Sequence, residues 1–125
     1  MENNTIVSFL IDYFKEKTSH KNPITNQSID ILLQENMKTK ELGQANVRGL
    51  IHYIRVNFSI KNEEGEEGWI CGTSDGYYLS YDPIHIMNHL ERFDSKIHKM
   101  MLVRKKGYKI LENKVYYRQS KLQFE

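Results

Sequence analysis

With 125 residues, 39% of them hydrophobic and 27% charged, the chain is long enough to bury one core and too apolar to be disordered throughout. Its longest apolar run, Met100 to Val103, falls far short of the roughly 20 residues a membrane span needs, and the N-terminus lacks a signal-peptide layout, so the expected location is cytoplasmic, away from membranes. Cys71 is the sole cysteine, which excludes an internal disulfide and a Cys-x-x-Cys pair, while the net charge of +2 hides an acidic segment 1–94 (nine basic and fourteen acidic residues) and a basic segment 95–125 (nine against two). Such a basic end suits nucleic acid or another polyanion.

From Thr5 to Lys17, Ile6, Phe9, Leu10, Tyr13 and Phe14 recur at the period of an amphipathic helix. Asn22-Pro23 forces a turn, and Thr25 can cap a second, short helix carrying Ile29, Leu32 and Leu33 and ending between Glu35 and Met37. Beyond Gly43, a third helix running to about Val56 has Val47, Leu50, Ile51 and Ile54 on one face. Its other side presents Gln44, Arg48, His52 and Arg55 as a polar stripe.

Phe58 to Lys61 alternates as a strand does, and Asn62 to Gly68, with four glutamates, reads as a solvated loop. Trp69 to Cys71 and Tyr77 to Tyr81 are rich in β-formers and flank Gly72 to Gly76, which predicts a hairpin with at least one of Tyr77 and Tyr78 facing the core. Asp82-Pro83 starts a fourth helix, whose residues Ile86, Leu90, Phe93, Ile97 and Met100 step by four and three. This seam is expected to continue to about Lys106 and to form a homodimer contact. Gly107 is expected to interrupt the helix, leaving the rest as a short helix or a hairpin.

The implied fold is α+β, mostly α: a winged helix-turn-helix with a β-hairpin wing and a long C-terminal helix. Residues 1–82 would form the winged-helix domain, with an acidic insertion at 59–68, and 83–125 a long helix with a basic C-terminal segment serving dimerisation. Val47-Arg48-Gly49-Leu50-Ile51-His52-Tyr53-Ile54-Arg55, followed by Ile70 and Ser74-Asp75-Gly76-Tyr77-Tyr78, resembles a winged-helix segment of small phage and prophage proteins, with the likeness covering about Ile24 to Arg104. That resemblance implies DNA-associated roles in replication initiation or transcriptional control, and hence the cytoplasm of a host. The acidic stretch between the third helix and the wing departs from the family pattern and weighs against DNA contact by the wing.

Arg bonds guanine bidentately and Gln or Asn bonds adenine, so Gln44, Asn46 and Arg48 are the candidate base readers in duplex DNA. Lys38, Lys40, Arg55, Lys61, Lys105 and Lys106 are the candidate phosphate contacts, with Lys96, Lys99, Arg104 and Lys109 adding to the basic face. The blander readings are that Arg48 and Arg55 are solvated or fix the helix in place. His85 and His89 stand one turn apart but lack a third ligand at a familiar spacing, so neither a metal nor another cofactor is expected. With no phosphate loop or nucleophile elbow, no enzyme is expected. The alternative is a protein-binding winged helix, such as a phage-encoded inhibitor of a host or defence complex, with the acidic loop or the basic tail as its interface.

Overall fold

A computed structural model describes the backbone of residues 3–123 and the side chains of residues 5–115. The order is α1 (Asn3–Lys17), α2 (Asn26–Met37), α3 (Gln44–Asn57), β1 (Ile60–Lys61), β2 (Glu67–Thr73), β3 (Gly76–Ser80) and α4 (Pro83–Gln123). The fold is α+β and mostly helical, with one antiparallel sheet in the order β1-β2-β3. The chain divides into two compact units, Met1–His89 and Leu90–Glu125.

The first unit is built around the apolar faces of its helices, with Val7 buried on α1 in addition to the expected Leu10 and Phe14, while Ile6, Phe9 and Tyr13 are half-buried. Val7, Leu10 and Phe14 of α1, Ile29 and Leu33 of α2, and Val47, Ile51 and Ile54 of α3 are fully enclosed, joined by Ile60, Ile70 and Leu79 from the sheet. Thr25 caps α2 by accepting a hydrogen bond from the Ser28 amide at 3.1 Å, which satisfies one of the orphan donors of the first turn. Asp82 does the same for α4, its carboxylate accepting from the Ile84 amide at 2.9 Å, with Pro83 in the first helical position.

The segment between α1 and α2 is tied to the sheet. Ile24 and Tyr77 exchange two backbone hydrogen bonds of 2.8 Å, so Ile24 forms a bridge on the edge of β3 away from β2. Gly76 makes this approach possible: its φ is +130°, and a Cβ there would collide with the Ile24 carbonyl.

Three local expectations need correction. The acidic stretch is a second hairpin rather than a loop: Glu67 and Gly68 pair with Lys61 and Ile60, and only 62–66 turns, held by the Asn62 carboxamide against Glu66. The turn of the β2–β3 hairpin is Ser74-Asp75, and Gly72 lies within β2 opposite Tyr77. Gly107 does not interrupt α4, which passes through it to Gln123. A glycine costs a helix interior only about 1 kcal/mol relative to alanine, and Lys105, Lys106, Lys109 and Leu111 around it favour helix.

Candidate nucleic-acid interface

The third helix is anchored through the residues that precede it. Asp30 is buried on α2 beside Ile29 and Leu33. One of its carboxylate oxygens accepts from the Leu42 amide at 3.0 Å and from the Gln34 side chain at 3.1 Å, while the other accepts from the Gly43 amide at 3.1 Å. The Leu42 bond, followed by that from Gln34, holds the carboxyl below its ordinary pKa against the opposing effect of burial. Gly43, at φ +80° and without a capping side chain of its own, then leads into α3. Asp30 thus fixes where α3 begins.

With Val47, Ile51 and Ile54 buried beneath it, α3 leaves Gln44, Asn46, Arg48 and His52 exposed. Asn46 uses its amide nitrogen on the Leu42 carbonyl at 2.6 Å, while Lys38 and Lys40, in the connection ahead of α3, are also exposed. Lys38 adopts the left-handed conformation that ends α2, at φ 54°.

Arg55 departs from the stripe expected of it. Its Nε donates to the Ile70 carbonyl at 2.9 Å, and its guanidinium lies 5.7 Å from the Trp69 ring and 5.6 Å from the Tyr77 ring. Burial lowers its pKa, opposed by Tyr77 and Cys71. Its charge is thus committed to joining α3 to the β2–β3 hairpin. Lys61 is exposed on β1 but pairs in register with Glu67, beside the exposed Glu63, Glu64 and Glu66. Lys105 and Lys106 are exposed on α4 in the second unit.

Aromatic and imidazole groups fasten the start of α4 to the sheet. Trp69 donates its indole N–H to His89 Nδ1 at 2.9 Å, and His89 is buried. His85 Nδ1 lies 2.9 Å from Ser80 Oγ, and its ring stacks on His20 at 4.5 Å between centroids. Tyr78 is buried with its ring edge-on to both imidazoles, and Tyr77 is half-buried against Arg55. His85 and His89 therefore turn to different partners, and among the described residues no group of three His, Cys, Asp or Glu side chains could hold a metal. No described helix is long and apolar enough to cross a membrane.

The sequence did not disclose the role of Asp30, though a carboxylate adjoining Ile29 on a helix's inner face was an available signal. The Arg55 and His89 contacts had none, since their partners lie 15 and 20 residues away. Comparison with protein-family models, curated proteins and solved structures finds no match.

Proposed function

We propose that the first unit is a winged helix that binds duplex DNA, with α3 entering the major groove. The observation that carries this reading is the division of α3: Val47, Ile51 and Ile54 are buried, while Gln44, Asn46 and Arg48, at its N-terminal half, are exposed. That half carries the base contacts in helix-turn-helix proteins. The element order also supports it, with the Ile24 bridge to β3 serving as the short first strand and β2–β3 as the wing. Lys38 and Lys40 would contact phosphates, with Lys105 and Lys106 of α4 as further cations. Arg55 is removed from the contact set because its guanidinium is engaged on β2. In this reading the protein acts without a cofactor or a reaction of its own, in replication or transcriptional control of a phage or mobile element in the host cytoplasm, as a homodimer joined through α4.

Fluorescence anisotropy with duplex DNA at two salt concentrations tests the proposal. Binding should weaken with salt as counterions are released, and Arg48→Ala should cost about 1–3 kcal/mol. No binding at low salt, or binding unaffected by Arg48→Ala, overturns it.

A second reading is favoured by the exposed acidic turn bearing Glu63, Glu64 and Glu66, with Glu67 beside it, which would repel phosphate. It makes the unit a protein-binding winged helix, such as an inhibitor of a host or defence complex. A stoichiometric protein retained in a pull-down from nuclease-treated host lysate, together with no DNA binding, would select it.

A further inference from the structure

Because α4 continues through Gly107, its apolar seam extends beyond Met100. Ile86, Leu90, Phe93, Ile97, Met100 with Met101, Arg104, Tyr108, Leu111 and Val115 follow one another at steps of three or four. The mean step is close to the 3.6 residues of an undistorted α-helix, so these positions stay on one face. Ile97 is 47%, Met100 69% and Leu111 53% exposed. Among the described residues of the stripe Arg104 is the only charge, and it lies 4.9 Å from the Tyr108 ring.

The stripe is mirror-symmetric about the Met100–Met101 bond. Leu90 lies as far before it as Leu111 lies after it, and the same holds for Phe93 with Tyr108 and Ile97 with Arg104. Two copies running in opposite directions about an axis at that bond would set leucine on leucine and ring on ring, with Arg104 against Ile97. Two copies running in the same direction in register would instead set Arg104 on Arg104.

Charge along one edge is compatible with the antiparallel pairing. Glu91 and Asp94 flank one edge of the stripe in its first half, and Lys105, Lys109 and Glu112 flank that same edge in its second half. When helices pair antiparallel, each edge meets its own counterpart, so Glu91 and Asp94 of one copy lie along Lys109 and Lys105 of the other. We infer that α4 pairs with α4 of a second copy of this chain in an antiparallel dimer whose two-fold axis passes beside Met100 and Met101. The inference rests on the self-association proposed above and specifies its geometry.

Disulfide trapping tests it. Leu90→Cys and Leu111→Cys change exposed positions about 30 Å apart along one helix, and the native Cys71 is buried. Light scattering of the unmodified protein, without DNA, should give the mass of a dimer. Under mild oxidation each cysteine variant alone should remain uncrosslinked, whereas co-expression of the two should yield a covalent dimer containing one chain of each kind, because a disulfide needs Cα atoms within about 7 Å. A monomeric mass at high concentration overturns self-association and the geometry together. A dimeric mass with Leu111→Cys crosslinking to itself, or with no mixed dimer on co-expression, overturns the geometry alone.

Discussion

In the first unit, apolar spacing ends in burial: Phe14, Leu33 and Ile51 have no exposed surface. Between Ile97 and Val115 the same steps of three and four end in exposure, with Met100 at 69%. Periodicity identifies which face of a helix seeks a partner, and only the tertiary structure says whether the chain supplies that partner itself. The two regions should therefore respond differently to the same kind of substitution. Phe14→Ala should cost about 3–5 kcal/mol of stability, as expected for truncating an enclosed aromatic ring. Met100→Ala should leave denaturant unfolding of the first unit within about 0.5 kcal/mol of the parent, its effect falling on self-association. Equal losses of stability for the two would erase the contrast.

A second substitution sharpens the account of the packed unit. At Gly76, positive φ and the close Ile24 carbonyl leave no room for a side chain, so Gly76→Ala should destabilise by about 1–3 kcal/mol from backbone strain alone. Thermal unfolding checks this, and an unchanged midpoint would mean that Ile24 is not held against β3 as described.

The smallest effect is confined to acid. Because Asp30 has a lowered folded-state pKa, it contributes stability that is fully present above the unfolded value near 4 and is lost as pH falls through the folded value. Asp30→Asn should accordingly flatten the acid limb of a stability–pH profile below about pH 4. An unaltered limb would deny Asp30 its part in holding α3.

How much of this was legible beforehand depends on the range of the interactions. The cap at Thr25 and the start at Asp82-Pro83 are local chemistry and were readable from the residues themselves. So were Leu10 and Phe14 of α1, Ile29 and Leu33 of α2, and Val47, Ile51 and Ile54 of α3, whereas buried Val7 fell outside the expected face of α1. Gly107 was misread because one residue's propensity is small beside its neighbours'. The acidic stretch was misread because Glu67 and Gly68 become strand only by pairing with Lys61 and Ile60.

The candidate site was legible in part for the same reason. Gln44 and Arg48 follow from helical phase and Asn46 from its place in the N-terminal half of α3, and all three are exposed. Arg55 shares that phase with Arg48, yet Trp69, Ile70 and Tyr77, distant in sequence, draw it onto the sheet. Asp30 was missed because its partners, Leu42 and Gly43, lie in the connection ahead of α3.

The most direct test is an NMR titration of the folded chain with duplex DNA at low salt, following backbone amides residue by residue. DNA recognition by α3 predicts salt-sensitive shifts concentrated between Lys38 and His52, with the 62–66 turn unmoved. Shifts confined to that acidic turn or to α4, or an unchanged spectrum, would contradict it.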